Sequence, residues 1–259
     1  PTSEGEGFGM KKYLKTLIIL TLIIAATFSF SQTLVQIKQR GKLLVGTEPT
    51  FPPFEFVDES NQIVGFDLDI ANELAKRLGV KVEVVSLPFD SLIPALQQGK
   101  IDMVIAGMTI TEDRAKVVDF SKPYFEANQA IVVRKDGSFR PQSLEELIGK
   151  KIAVQLGTTG DLITTDVKGI EVVRFQRFTD AFLELQNGRV DAVVLDEAPA
   201  KAYVKKFPKF IVSKIVDTGE TYGVAVRKGN KELLNFVNQT LDIMRSSGTY
   251  NKIIDKWFE

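Results

Sequence analysis

Arg114, in a loop that follows a predicted strand, has the side-chain chemistry to bind a carboxylate. It lies in the first turn of a helix predicted to begin after Thr111, and its planar guanidinium can give two parallel hydrogen bonds to one carboxylate. A cation is unfavourable at a helix N-terminus, so helix stabilisation does not account for this arginine. Spacing alone leaves two interpretations open, a carboxylate ligand or a solvated arginine paired with Glu112 or Asp113.

Two further loops carry groups that suit the ends of a small zwitterion. The Gly-Thr-Thr-Gly segment at 157–160 offers backbone N–H groups and two hydroxyls to an anion, unless it is a plain β-turn. Asp196 ends an apolar strand predicted over 192–195, and its carboxylate can accept from an ammonium or cap the next helix. An arginine and an aspartate on opposite sides of a cleft would hold a zwitterion by both ends, which is typical of amino-acid binding.

Aromatic and polar residues beside these loops predict a pocket for a ligand side chain. Phe51 and Phe89 can stack on a planar group such as a guanidinium, whereas Phe54 is expected in the core. Glu48 can pair with a cationic head, and Gln155 can hydrogen-bond an amide or a guanidinium. This set suits arginine best and leaves lysine, ornithine and histidine open.

The residue types that are missing exclude several classes of catalyst. The 259 residues include no His and no Cys, which excludes a thiolate zinc site, a cysteine nucleophile, a Ser-His-Asp triad, a haem histidine and a disulfide. A total of 33 Lys and Arg balances 33 Asp and Glu, which argues against broad nucleic-acid binding. We therefore expect no cofactor and no nucleic-acid partner.

Residues 1–31 are predicted to be separate from the folded protein. Residues 1–9 precede Met10 and are expected to be a remnant upstream of the start. Basic residues, an apolar run over 17–26 and small residues up to Ser31 then follow in the order of a secretory signal peptide. The run is shorter than the roughly 18 residues that a membrane anchor needs. The sequence thus predicts a secreted protein, soluble after cleavage, in the periplasm or outside the cell.

Strand and helix patterns alternate along the rest of the chain and predict an α/β fold with mainly parallel sheets. A helix capped by Asp67 and ended by Gly79 is expected between strands at 42–47 and 80–85. The segment FDSLIPALQQGKIDMVIA from Phe89 aligns without gaps on FTDAFLELQNGRVDAVVL from Phe178, which indicates two similar lobes or chance similarity of βα units. Two lobes place a ligand cleft between them, at the carboxyl ends of their strands.

Motifs spread over 41–258 carry a family resemblance. LLVGTEPTFPPFEF, IVGFDLDIANELAKRLG, AGMTITEDR, AVQLGTTGD and GTYNKIIDKWF occur in this order. Together they resemble the polar amino-acid-binding proteins of bacterial ABC importers, family 3 of the periplasmic solute-binding proteins. The resemblance implies the periplasmic-binding-protein fold, two α/β lobes joined by crossing hinge strands near 126–131 and 219–224. It assigns 32–126 and 222–259 to the first lobe and 127–221 to the second.

The resemblance also implies roles for individual residues. Arg114 maps to the clamp for the ligand α-carboxylate, assisted by Thr109 and Thr159 through backbone or hydroxyl donors. Asp196 maps to the acceptor for the α-ammonium, helped by the Gly107 carbonyl. The side-chain pocket maps to Glu48, Phe51, Phe89, Ala106 and Gln155.

The resemblance implies a binding protein and not an enzyme. It would capture a polar L-amino acid, arginine first and glutamine next, because the segment from Ala106 to Thr109 also resembles glutamine binders. Closure of the lobes would then present the amino acid to a membrane ABC permease, with the protein acting as a monomer. The alternative is a dehydratase of the same fold acting on prephenate or arogenate, with Glu48 or Glu197 as the general acid. A one-residue shift of register would instead give Glu197 the ammonium role of Asp196.

Overall fold

The computed structural model of the protein describes residues 33–258. The remnant and signal peptide predicted together for 1–31 lie outside these residues. The first elements are α1 (Thr33–Arg40), β1 (Lys42–Thr47), β2 (Thr50–Phe51), β3 (Glu55–Val57), β4 (Ile63–Val64), α2 (Phe66–Leu78), β5 (Lys81–Ser86), α3 (Leu92–Gln97), β6 (Met103–Val104), α4 (Glu112–Val117) and β7 (Val118–Phe120). The chain continues with β8 (Phe125–Arg134), β9 (Lys151–Gln155), α5 (Thr159–Asp166), β10 (Glu171–Phe175), α6 (Phe178–Gln186), β11 (Ala192–Asp196), α7 (Glu197–Lys206) and β12 (Phe210–Tyr222). It ends with β13 (Ala225–Arg227), α8 (Lys231–Ser246) and α9 (Thr249–Phe258).

Two five-stranded sheets form the centres of two lobes. Lobe 1 is built on the sheet β5-β1-β6-β13-β7, and lobe 2 on the sheet β10-β9-β11-β8-β12. β1 is parallel to β5 and β6, and β9 is parallel to β10 and β11. The remaining pairs in both sheets are antiparallel. The predicted two-lobe α/β fold is confirmed. In each sheet four strands run in one direction, and a single strand, β13 in lobe 1 and β8 in lobe 2, runs against them.

The repeat seen in the sequence corresponds to a repeat of topology. In lobe 1 the chain runs β1, α2, β5, α3, β6, and in lobe 2 it runs β9, α5, β10, α6, β11. Each series places its strands at the same positions of its sheet, so β6 and β11 are both central. Phe89 and Phe178 both begin the helical segment before the central strand. The gapless alignment therefore reflects equivalent βα units and not chance similarity.

The chain crosses between the sheets twice. β7 belongs to the first sheet and β8 to the second, and the return runs from β12 to β13. β8 and β12 pair along most of their length, with a register shift between Val216 and Glu220. The predicted crossings at 126–131 and 219–224 overlap β8 and the end of β12. The lobe boundaries at 126/127 and 221/222 stay a prediction.

Helix α2 departs from the sequence prediction at its first turn. Its buried face contains Ile70, Leu74 and Leu78, and Gly79 ends it in the left-handed conformation, as predicted. Asp67 does not cap it, because the helix begins at Phe66 and Asp67 is fully buried inside the first turn. Its carboxylate accepts from the Gly107 N–H at 2.7 Å and from the Tyr124 hydroxyl at 2.9 Å. A buried carboxylate needs such donors, so Asp67 serves the tertiary structure instead of the helix end.

Candidate functional site

The segments that follow the carboxyl ends of β1, β5, β6, β9 and β11 meet between the lobes. They bring together every residue that the sequence nominated for the site: Glu48, Phe51, Phe89, Ala106, Gly107, Thr109, Arg114, Gln155, Thr159 and Asp196. Glu55 and Thr158 complete the lining, which encloses a cavity of about 10 Å³. The lobes are therefore closed onto each other, and side chains make direct contacts across the cleft.

Arg114 contacts both sides of this cleft. Its guanidinium donates to the Thr109 carbonyl at 2.8 Å in lobe 1 and to the Gly157 carbonyl at 2.9 Å in lobe 2. It also lies 5.3 Å from the centre of the Phe89 ring. Thr111 caps the helix as predicted, by accepting from the Arg114 N–H. The solvated interpretation is wrong, because the guanidinium donates to these two carbonyls, whereas Asp113 pairs with Lys116. Burial lowers the pKa of Arg114, while nearby Asp196 and Glu220 raise it.

Asp196 lies on the lobe 2 side of the cavity with a buried carboxylate. It accepts from Gln129 Nε2 at 2.9 Å and from the Tyr222 hydroxyl, and its side chain makes no capping bond to helix α7. Burial, and then the charge of Glu220, raises its pKa from 3.8 to about 7. Glu197 instead forms an ion pair with Lys201 and lines a separate, more open pocket. The described geometry therefore favours Asp196 over Glu197 as an acceptor inside the cleft.

Glu48 and Gln155 join the lobes at the side-chain end of the cavity. Gln155 Nε2 donates to Glu48 Oε2 at 2.7 Å, and the Thr50 hydroxyl donates to the same oxygen at 2.6 Å. Burial raises the pKa of Glu48, while the hydrogen bonds from Thr50 and Gln155 lower it. A buried carboxylate with an amide beside it can accept from a cationic or amide head group.

Phe51 is more deeply packed than the sequence suggested. Its ring stacks on Phe54 and on Phe178, each with ring centres 5.7 Å apart. Phe54 is fully buried, so its assignment to the core is confirmed. Gly107 has a φ of 52°, and an added Cβ there would lie 2.5 Å from the Phe51 ring. Only glycine fits at this position without displacing the aromatic group.

Several residues of the site were missed by the sequence analysis. Glu55 lines the cavity, and burial and the neighbouring Asp67 raise its pKa well above the ordinary value. Burial also raises the pKa of Asp67 to about 6. Gln129 and Glu220 come from the crossing strands β8 and β12 and hydrogen-bond to each other. No local motif marks them, because strand pairing between distant segments brings them to the cleft.

The described part of the chain contains no cluster of side chains suited to bind a metal ion. Between residues 33 and 258, no group of three or more acidic side chains has an arrangement that would hold one. Over the same range, no helix combines the length and apolar character needed to cross a membrane. The cavity itself is lined by hydrogen-bonding groups, carboxylates and aromatic rings.

The profile of the bacterial extracellular solute-binding proteins, family 3, matches residues 43–259. The chain belongs to this family. Among curated family 3 relatives, the ABC transporter arginine-binding protein 1 of Escherichia coli (strain K12) is 37% identical over 251 residues, 95% of this chain and 99% of that protein. The resemblance stated from the motifs is therefore confirmed.

Solved structures of family 3 relatives agree with the fold. A mutant of ArgBP from T. maritima is 57% identical, with a TM-score of 0.86 over 87% of this chain and 98% of its own. AncCDT-1, an ancestral amino acid-binding protein and precursor of cyclohexadienyl dehydratase, is 46% identical, with a TM-score of 0.81 over 88% of this chain and 99% of its own. The similarity extends over both lobes and the cleft between them.

Proposed function

We propose that this protein captures a polar L-amino acid outside the cytoplasm and delivers it to an ABC import permease. The observation that carries the proposal is the placement of Arg114 from lobe 1 and Asp196 from lobe 2 around one closed cleft, each held by polar partners. A guanidinium suits an α-carboxylate, and a carboxylate suits an α-ammonium. Thr109, Thr159 and the Gly107 carbonyl line the space between them and assist.

Arginine is the proposed ligand, and glutamine is the second candidate. Glu48 supplies a buried carboxylate that a permanently charged guanidinium requires on entering a closed pocket. Phe89 and Phe51 offer aromatic faces, Ala106 lies in the pocket wall, and Gln155 accepts or donates at the head group. The arginine-binding relatives support this choice.

The remaining properties of the proposal follow from the family. The lobes, 32–126 with 222–259 and 127–221, close around the amino acid by movement of the crossing strands, and the closed form is presented to the permease. The protein acts as a monomer in the periplasm or outside the cell, after removal of its signal peptide. It carries no catalytic function.

Native mass spectrometry of the protein as purified, followed by calorimetric titration, tests this proposal. A co-purified arginine or glutamine would identify itself by mass, and titration should rank arginine above glutamine. Absence of binding to every polar L-amino acid would contradict the proposal. Tight binding of glutamine with weak binding of arginine would contradict only the choice of ligand.

The second candidate function is a dehydratase, which the similarity to AncCDT-1 supports. Such an enzyme needs a general acid with a raised pKa. Glu48 has a raised pKa, but its Oε2 is held by two hydrogen bonds, and Glu197 lies outside the cavity. Incubation with prephenate or arogenate should therefore give no aromatic product, and product formation that Glu48→Gln abolishes would establish the enzyme instead.

A further inference from the structure

Glu220 is placed beside the cleft by an irregularity in the crossing strand β12. Val216 pairs with Gln129 and Glu220 pairs with Ala127, so four steps along β12 match only two along β8. Gly219, immediately before Glu220, has a φ of 59°, a left-handed conformation that glycine adopts without strain. Bulges of this kind redirect side chains next to functional sites.

The carboxylate of Glu220 collects hydrogen bonds from both lobes. The Thr109 hydroxyl donates to Oε2 at 2.7 Å, and the Thr159 hydroxyl donates to the same oxygen at 2.8 Å. Gln129 Nε2, which also donates to Asp196, donates to Oε1 at 3.1 Å. Thr109 and Thr159 line the cavity and Glu220 does not, so Glu220 lies behind the two hydroxyls.

Each threonine hydroxyl has a single proton, and the group that receives this proton limits what the hydroxyl can offer to a ligand. A hydroxyl has one proton and two lone pairs, and a carboxylate only accepts. While Thr109 and Thr159 donate to Glu220, the two hydroxyls can only accept from a ligand. One lone pair of Thr159 accepts from Gln129 Nε2 at 3.3 Å, which leaves the other for the cavity. Lone pairs attract an ammonium and repel a carboxylate. The α-carboxylate is then left to Arg114 and to backbone N–H groups.

We propose that Glu220 is a positioning residue of the amino-acid site, which orients the hydroxyls of Thr109 and Thr159 as acceptors for the ligand α-ammonium. The inference rests on the proposed function and deepens it. The sequence analysis left open whether Thr109 and Thr159 donate to the α-carboxylate through their backbone or their hydroxyl groups. With the hydroxyls turned to Glu220, only the backbone N–H groups can donate. Asp196 and the two hydroxyls together form a subsite of hydrogen-bond acceptors for the ammonium.

The first test compares L-arginine with 5-guanidinopentanoic acid, which is arginine without its α-amino group. In Glu220→Gln the new amide can donate to the hydroxyls and turn their protons toward the cavity. Calorimetric titration should show a loss of tenfold or more for L-arginine and less than threefold for the analogue. Asp217→Asn removes an exposed acid from the same strand and is the matched control, with both affinities unchanged within twofold. Equal losses for the two ligands in Glu220→Gln would overturn the inference.

The second test separates hydroxyl orientation from charge alone and needs only L-arginine. Thr109→Val removes the hydroxyl that Glu220 orients. The double variant combines Glu220→Gln with Thr109→Val. If Glu220 acts through that hydroxyl, the fold-loss of affinity in the double variant should be clearly smaller than the product of the fold-losses in the two single variants. Losses that multiply would show an effect of charge through space and overturn the inference.

A variant that does not fold and a wild-type protein that does not bind are two results distinct from failure of the inference about Glu220 alone. If Glu220→Gln does not fold, Glu220→Asp takes its place in the first test, because it keeps the charge but withdraws the carboxylate from the two hydroxyls. A selective loss of L-arginine over the analogue supports the ammonium role, and equal losses of both overturn it. If the wild-type protein binds no polar L-amino acid, the proposed function itself fails, and the inference fails with it.

Discussion

At the scale of single residues, Arg114 is the group whose removal should affect binding most. Its side chain is partly buried, and its guanidinium reaches carbonyls in both lobes. Loss of a buried, hydrogen-bonded charge partner costs about 2–5 kcal/mol of binding. Arg114→Ala should therefore lower the affinity for arginine roughly 30-fold to several thousand-fold, as measured by calorimetric titration.

Arg189→Ala is the matched control for that variant. Arg189 pairs with Glu184 on the surface of lobe 2, and its side chain is largely exposed. Its removal should leave the affinity unchanged. A loss smaller than about threefold in Arg114→Ala would contradict the role of Arg114 as the carboxylate clamp.

Glu48 should decide between arginine and glutamine. A closed pocket must compensate the guanidinium charge, whereas the neutral amide of glutamine makes no such demand. Glu48→Gln should cost arginine more than about 1.4 kcal/mol, a tenfold loss, and cost glutamine much less. Competition titrations with both amino acids measure the difference, with Glu83→Gln as an exposed control. Equal weakening of the two ligands would remove the main support for arginine.

At the scale of elements, the loop after β6 depends on a glycine. An added Cβ at Gly107 would lie 2.5 Å from the Phe51 ring, and the residue has a positive φ. Gly188 also has a positive φ, of 72°, but an added Cβ there meets nothing within 4 Å. Gly107→Ala should therefore lower the unfolding free energy by about 1–3 kcal/mol more than Gly188→Ala. Denaturant unfolding of the two variants measures this difference. Equal losses of unfolding free energy would show that the Phe51 ring moves aside at no cost.

Element order was predictable from the sequence because the βα units are local. Hydrophobic runs, Gly79 and the Phe89/Phe178 alignment indicated the strands, the end of α2 and the repeated unit. The loops after the strands then indicated where the candidate site lies.

Local sequence patterns could not predict which distant segments pair with each other. Asp67 resembled a helix cap, yet it binds the Gly107 N–H and the Tyr124 hydroxyl. Glu220 depends on the register shift between β12 and β8.

At the scale of the whole molecule, closure rests on contacts that join the lobes directly. The Thr50 hydroxyl accepts from the Phe178 N–H at 3.0 Å, and the Thr50 carbonyl accepts from the Tyr203 hydroxyl at 2.8 Å. Gln155 with Glu48 and Arg114 with the Gly157 carbonyl add two more links. Closure also places Asp196 of lobe 2 near enough to Glu55 of lobe 1 to raise the pKa of Glu55. The ionisation of such buried carboxylates couples the stability of the closed molecule to pH.

Asp196 gives this coupling a definite sign. Its pKa is raised from 3.8 to about 7, first by burial and then by Glu220, so the folded protein holds a proton there that the unfolded chain has released. The unfolding free energy contributed by this group should therefore fall as pH rises from about 4 to about 7. Ionised Asp196 is also the form that attracts an α-ammonium, so the affinity for arginine should rise over the upper part of the same range.

The comparison of wild type with Asp196→Asn isolates this contribution, because the amide does not titrate and the other groups cancel. Between pH 5 and pH 8, the wild type should lose on the order of 2 kcal/mol of unfolding free energy relative to the variant, without added amino acid. Denaturant unfolding at the two pH values measures the loss. With arginine present, the rise of affinity with pH should appear in the wild type and vanish in Asp196→Asn. A stability difference that stays constant between pH 5 and pH 8 would mean that Asp196 is already ionised at pH 5 in the folded protein.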